Sequence, residues 1–261
     1  MPMNQTQTQR PRLSVLVPAY NEEHTVGRVL DKLLSLPFVD EIVIVDDAST
    51  DRTPEIIREM ADPRIVSHRM EHNSGKTAAI REATRLATGE ILIVQDADLE
   101  YDPEEIESVI QPIRDGKADV VYGSRFLVRK AARVLYFYHF LANKFLTFLS
   151  NLLTNLNMTD IETCYKAFRA PVLKHLELTS TGFGMEVEIT AKISKLPLRI
   201  FEVPISYYGR TYEEGKKIKF RDGVEAIWYI LRYNLGARFS AAQGRYARQV
   251  LGELRAGRER E

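Results

Sequence analysis

Short apolar runs alternate with amphipathic stretches along the first half of the chain. The run LSVLVPAY, beginning at Leu13, predicts a buried strand. The segment behind it, EEHTVGRVLDKLLSL, carries Val26, Val29, Leu30, Leu33 and Leu34 at helical spacing. EIVIVDD and DRTPEIIREM repeat the pair, with Thr53 and Pro54 opening the helix. RIVSHR and KTAAIREATRLATG repeat it again, and Gly89 predicts a helix stop. EILIVQDAD, the helical stretch DPEEIESVIQPIRDG and a last run, ADVVYGS, follow. Continuous apolar strands separated by helices predict an α/β domain, its mostly parallel sheet covered on both faces. Such sheets take ligands beyond the C-terminal ends of their strands.

The second half changes character. Residues 131–153 predict a helix rich in aromatics, among them Tyr136, Phe137, Tyr138, Phe140, Phe145 and Phe148, with Arg133, His139 and Lys144 beside them. It can pack on the core or lie in a membrane interface; the pattern admits both. DIETCYKAF, a helix around FGMEVEITAKISKL, a strand in LRIFEVPI and the basic stretch GRTYEEGKKIKFRDG come next. VEAIWYILRYNL predicts a last amphipathic helix, and the Arg-rich end a poorly ordered tail. The chain therefore divides into a leader over 1–12, a domain over 13–235 and a tail over 236–261. Within the domain, 13–125 predicts the ligand-binding half and 126–235 an appended half.

Composition narrows the function. Lys and Arg number 36, as do Asp and Glu, so no global basic surface invites nucleic acid. A single cysteine, Cys164, excludes an internal disulfide framework and a Cys-rich zinc site. The longest stretch free of charged residues, Phe145 to Thr159, is broken by Thr, Ser and Asn, and a spanning helix needs roughly 20 mostly apolar residues. With no apolar core in MPMNQTQTQRPR, the expectation is a cytoplasmic protein.

Four strand runs deliver polar residues to one edge: Tyr20-Asn21-Glu22, Asp46-Asp47, Asp96-Ala97-Asp98 and Gly123-Ser124-Arg125. Asp96 and Asp98 can both turn into one site, where paired carboxylates repel unless a cation lies between them. Oxygen ligands suit Mg²⁺ or Mn²⁺, with Glu100 a further donor. The competing reading is a solvated loop, and for Asp102, before Pro103, a plain helix start. NSGKT ends like a phosphate loop, but Met70 stands where that motif needs glycine. The histidines show no ligand spacing. Arg210, Lys216, Lys217, Lys219 and Arg221, near Gly209 and Gly215, form a cationic loop suited to a pyrophosphate, or a solvated surface. Arg125, Arg129 and Lys130 raise the same choice.

Taken together, VPAYNEE, VDDASTD, N-x-G-K and DAD, in that order, resemble family-2 glycosyltransferases of the GT-A fold. YGSRF, DIETCYKAF, FGMEVEI and EVPISYYGRTYEEGKKI extend the resemblance to the dolichol-phosphate mannose and dolichyl-phosphate glucose synthases, from Leu13 to Leu235. The resemblance implies sugar transfer, with inversion, from a nucleotide diphosphate sugar to a polyprenyl or dolichyl phosphate. It implies Pro18, Tyr20, Glu22, Asp46 and Asp47, with Lys76 nearby, at the base and ribose. It implies Asp98 on the divalent ion, Asp96 on the ion or the ribose, and Glu100 as a metal contact. Arg210 and Lys216 match the pyrophosphate pair, and Ser124 and Arg125 the acceptor-phosphate residues.

The family's second acceptor arginine has no counterpart in YFYHFLAN, where His139 or Phe140 stands; Arg129 or Arg133 can substitute. Many relatives also carry C-terminal spanning helices that are not seen here. The expected alternative to membrane-spanning is a peripheral place on the cytoplasmic membrane face. Asp160 and Glu162 would supply a base if the acceptor were a hydroxyl, and otherwise orient the arginines. The ETCYK form leans towards UDP-glucose over GDP-mannose. A non-catalytic nucleotide-sugar-binding regulator is the remaining alternative.

Overall fold

The structure, a computed structural model, describes residues 10–127, 133–134, 136–211, 213, 220–235 and 240–258. Seven strands, β1 (Leu13–Ala19), β2 (Glu41–Asp46), β3 (Ile65–Arg69), β4 (Ile91–Val94), β5 (Val120–Ser124), β6 (Lys166–Arg169) and β7 (Ile200–Pro204), form one sheet. Their order is β3-β2-β1-β4-β6-β5-β7. All neighbours run parallel except β6, which is antiparallel to both β4 and β5. Every residue of β1, β2, β4 and β5 is buried, as continuous apolar strands covered on both faces require. The edge strand β3 carries the polar residues Ser67, His68 and Arg69 outward.

The helices are α1 (Val26–Ser35), α2 (Thr53–Glu59), α3 (Lys76–Leu86), α4 (Ile106–Arg114), α5 (Phe137–Thr154), α6 (Ala170–Lys174), α7 (Met185–Ile193), α8 (Phe220–Leu235) and α9 (Ser240–Arg258). On α1 the residues Val26, Val29, Leu30 and Leu33 are buried on one face, as their spacing predicts. Two local expectations change. α3 stops at Leu86, and Gly89 is instead a close-approach position: a Cβ there would lie 2.5 Å from Ser14 Oγ and 2.9 Å from the Arg12 carbonyl. DIETCYKAF supplies β6, the antiparallel insert that apolar periodicity could not orient.

The expected disordered tail is also corrected. α9 buries Tyr246, Val250 and Leu254, one residue per turn, and the Tyr246 hydroxyl donates to the Val172 carbonyl at 3.0 Å. Its last turn brings Arg258 to Asp119, a fully buried carboxylate at the start of β5 (2.8 Å). Arg199 grips the same carboxylate through Nη2 (2.8 Å) and Nε (3.1 Å). Burial alone would raise the Asp119 pKa, but these arginines hold it below the usual carboxylate range. Asp119→Ala would remove the buried anion shared by Arg199, Arg258 and the mostly buried Arg169. We expect it to destabilise the protein by about 3 kcal/mol, read as a lower urea midpoint.

Candidate functional site

Among the described residues four other than glycine adopt left-handed backbone; Asn155 (φ 57) closes α5, and the other three follow parallel strands at the sheet's C-terminal edge: Asn21 (φ 52), Ala48 (φ 57) and Leu99 (φ 63). Such a conformation costs roughly 1–2 kcal/mol at a residue with a Cβ, so the surrounding bonds must impose it. The loops after β1 and β2 are sewn together to do so. Asn21 N–H donates to Ser49 Oγ (3.0 Å), Thr50 N–H to Asn21 Oδ1 (2.8 Å), and Glu22 N–H to Thr53 Oγ1 (2.9 Å).

Tyr20 stands exposed on this ledge, at 38%. The other residues expected at the nucleotide turn inward. Pro18 is buried within β1. Asp46 accepts from Ser49 N–H (3.1 Å) and pairs with Arg69 Nε (3.3 Å). Asp47 accepts from the N–H groups of Ser74 (2.8 Å) and Gly75 (2.7 Å). Asp47 therefore folds the NSGK turn, while Asp46 fixes the loop after β2.

Lys76, the first residue of α3, lies at the centre of the cleft. Its ammonium pairs with Asp96 Oδ1 (2.9 Å) and Glu186 Oε1 (3.4 Å) and touches Cys164 Sγ (3.2 Å). Burial alone would depress its pKa, but Asp96, Cys164 and Glu186 outweigh burial and hold it well above the ordinary lysine value. Burial and the Asp96 charge push the Cys164 thiol up, which makes it inert.

β4 ends two residues before Asp96. The left-handed turn at Leu99 lets Asp98 Oδ1 accept the Glu100 N–H at 3.0 Å. Burial, and then the charges of Asp96 and Glu100, push Asp98 up to about 7. Glu100 was expected in a metal's coordination sphere. Its carboxylate instead accepts the Tyr207 hydroxyl (2.7 Å) and the Arg210 N–H (2.9 Å), while its carbonyl accepts the Tyr208 N–H (2.9 Å). It is the strut that fastens the segment after β7 to the DAD loop. Arg210 then reaches Glu22 Oε2 (3.0 Å) and the Asp98 carbonyl (2.8 Å).

Among the described residues no group of three or more His, Cys, Asp or Glu side chains is arranged to hold a metal. The donor set nonetheless suits Mg²⁺ or Mn²⁺. Asp98 offers a carboxylate whose proton affinity is raised by burial and then by the Asp96 and Glu100 charges, the strain that a cation would relieve.

On the other side of the cleft, Arg125 binds Asp160 through Nε (2.7 Å) and Nη2 (2.8 Å) between the rings of Tyr207 and Phe126. Burial would raise the fully buried Asp160, but Arg125 holds it low. Ser124 is fully buried and shares a 2.6 Å bond with Thr159 Oγ1. It shapes the turn and does not face an acceptor. Arg133 is exposed; its N–H donates to the Tyr207 carbonyl (3.2 Å) and its Nη1 to that of Gly209 (3.4 Å). Arg129 and Lys216, with Lys130, Lys217 and Lys219, lie outside the described residues.

Glu162 Oε1 is buried with no hydrogen-bond partner, and burial followed by the Glu186 charge pushes the carboxyl up to about 8. Glu186 and Tyr207 were missed from the sequence, although FGMEVEI and EVPISYY contain them. An acid in an otherwise buried helix was the available signal.

α5 and α8 pack together and turn apolar stripes outward. Phe137, Leu141, Phe145, Phe148 and Leu152 are exposed on α5, and Val224, Trp228, Leu231 and Leu235 on α8. α5 also buries Leu146, Thr147 and Ser150, so one face of it packs on the core. No helix among the described residues is long and apolar enough to cross a membrane.

A proton bound more tightly by the native state than by the unfolded chain makes stability fall as pH rises through the native pKa. Glu162 is such a group. Glu162→Gln is therefore expected to melt at a higher temperature than wild type at pH 9, the gap shrinking towards pH 5. An identical gap at both pH values would refute the assignment.

Residues 14–177 match the family model "Glycosyl transferase family 2". The chain is 30% identical over 247 residues to an undecaprenyl-phosphate mannosyltransferase of Micrococcus luteus, covering 90% of this chain and 98% of that one. It is 32% identical over 230 residues to a dolichol-phosphate mannosyltransferase of Pyrococcus furiosus, covering 85% of this chain and 63% of the other. A Mycobacterium tuberculosis glucosyl-3-phosphoglycerate synthase, solved with Mn²⁺, UDP and glucosyl-3-phosphoglycerate, superposes with a TM-score of 0.65 at 20% identity, covering 86% of this chain and 80% of that one. With a mostly parallel GT-A sheet gathering its polar motifs at one edge and a family model spanning more than half its length, the chain belongs to glycosyl transferase family 2.

Proposed function

We propose that this protein transfers a hexose, with inversion, from a nucleotide diphosphate sugar to a polyprenyl phosphate at a membrane surface. One observation carries the reading: the cationic side of the cleft is continuous with exposed apolar surface. Phe126, beside Arg125, packs edge-on against Phe140 of α5, and the α5 stripe runs on from there. A polyprenyl phosphate has the same division, an anionic head on an apolar tail. The two mannosyltransferases named above act on acceptors of this class, which supports the reading.

The chemistry follows from the charges. A phosphomonoester has its second pKa near about 6, so the acceptor oxygen is already anionic at neutral pH and needs no general base. Arg125, with Arg133 nearby, supplies the counter-charge that brings this anion to the anomeric carbon. Attack on one face displaces the nucleoside diphosphate from the other. Arg210, which lies against Glu22 and the DAD loop, is placed to neutralise the departing diphosphate. A divalent cation, held by Asp98 with Asp96 beside it, would supply further charge stabilisation on that diphosphate. The α5 and α8 stripes then hold the protein peripherally at the interface, within reach of a lipid acceptor.

A hydroxyl acceptor is the second reading, favoured by the unpaired oxygen of Glu162. It would need Glu162 as base, and Glu162→Gln would then lower turnover by roughly 10²–10⁴-fold with donor binding intact.

Three measurements test the proposal. Incubation of polyprenyl phosphate with GDP-mannose, UDP-glucose and related donors should yield a lipid-linked sugar with one of them; no product with any would overturn it. EDTA should stop the reaction and Mn²⁺ restore it, and Asp98→Asn should lower turnover on the order of 10²-fold. Wild type should sediment with anionic lipid vesicles, and a Phe145→Ser, Phe148→Ser variant should lose about tenfold or more of that binding.

A further inference from the structure

Tyr207 is half-buried just beyond β7, and its two ends meet different partners. The hydroxyl donates to Glu100 Oε2 (2.7 Å), and Oε1 of the same carboxylate accepts the Arg210 N–H (2.9 Å). Burial, and then the Glu100 charge, raise the phenol above the ordinary tyrosine value, so the hydroxyl keeps the proton it donates. The ring lies under the Arg125 guanidinium, 5.1 Å from centroid to carbon, with Phe126 the second ring against that guanidinium at 5.5 Å.

The ring is braced from behind. Tyr101, in the loop after the DAD motif, lies tilted 5.4 Å from it and stacks at 4.9 Å on Tyr165, the residue before β6. Both are buried. The Tyr101 hydroxyl accepts the Cys164 N–H (3.2 Å), and the Tyr165 hydroxyl donates to the Asp102 carbonyl (2.8 Å). A ring packed on this column cannot shift without opening a close-packed cluster.

Asp160 fixes one edge of Arg125 through Nε and Nη2, and a ring over the face of the guanidinium fixes its plane. The Glu100 carboxylate likewise fixes the backbone from which the Arg210 side chain reaches Glu22 and the DAD loop. We propose that Tyr207 is a positioning residue with two separable roles: its hydroxyl, through Glu100, sets Arg210 for the departing diphosphate, and its ring sets Arg125 for the acceptor phosphate. This rests on the donor and acceptor reading given above. Phenylalanine would keep the ring and lose the hydroxyl; leucine would lose both.

Calorimetry with UDP and GDP in Mn²⁺, and steady-state kinetics with the donor that is used and a polyprenyl phosphate, test this on wild type, Tyr207→Phe and Tyr207→Leu. Tyr207→Phe should weaken the nucleoside diphosphate by about 3–10-fold and leave the acceptor KM within about twofold. Tyr207→Leu should show the same nucleotide loss and raise the acceptor KM by about fivefold or more. In a Glu100→Ala background, Tyr207→Phe should change nucleotide affinity by less than about twofold, because the hydroxyl acts through that carboxylate. Should Tyr207→Leu not fold, Tyr207→Met carries the same comparison. Equal losses on both sides in the Phe and Leu variants would show a merely structural role and overturn the proposal. So would wild-type nucleotide affinity in Tyr207→Phe, or a wild-type acceptor KM in Tyr207→Leu. No transfer to polyprenyl phosphate by wild type, with nucleotide still bound, would remove the acceptor reading itself and the ring's role with it.

Discussion

The carboxylates of Glu22, Asp96, Asp98, Glu100, Asp160, Glu162 and Glu186 gather beyond the sheet edge, and the rest of the site depends on how they are compensated. Lys76 offsets Asp96 and Glu186, Arg125 offsets Asp160, and Arg210 offsets Glu22. Glu100 is taken up by backbone and hydroxyl donors. Asp98 and Glu162 are left with raised pKa values, one on each side of the cleft. Those two are the carboxyls most open to a new partner, because their present environment disfavours the charged form.

The same bonds join the two halves of the domain mechanically. Tyr207 lies under the Arg125 guanidinium and donates to Glu100, while Arg210, three residues on, meets the DAD loop and Glu22. In the proposed function the donor and acceptor sides therefore share one strut, which suits a reaction that must align two anions on opposite faces of one carbon.

The fold of the first half was legible in the chain because its signals are local. Buried parallel strands read as continuous apolar runs, and the polar residues that end them fall at one edge whatever the order of the strands. Less was legible where a residue's role depends on its neighbour. Asp46, Asp47 and Ser124 sit at the expected strand ends but turn inward, since nearby N–H and hydroxyl groups claim their oxygens. The reversed β6 could not be oriented from four residues, and α9 gave an Arg-rich composition that looked solvated until Asp119 was placed beneath it.

By itself, then, the sequence determined which segments of the first half are strands and helices, that the sheet is mostly parallel, and which motifs gather at its C-terminal edge. Periodicity and turn chemistry act over a few residues and need no knowledge of the whole. Only the tertiary structure decided which charges face one another. Lys76 and Cys164 are separated by 88 positions, and Arg210 and Glu22 by 188. Those meetings are fixed by strand order and crossover. The electrostatic state of each carboxyl, and with it the division between wall, strut and binding residue, depends on distance in space.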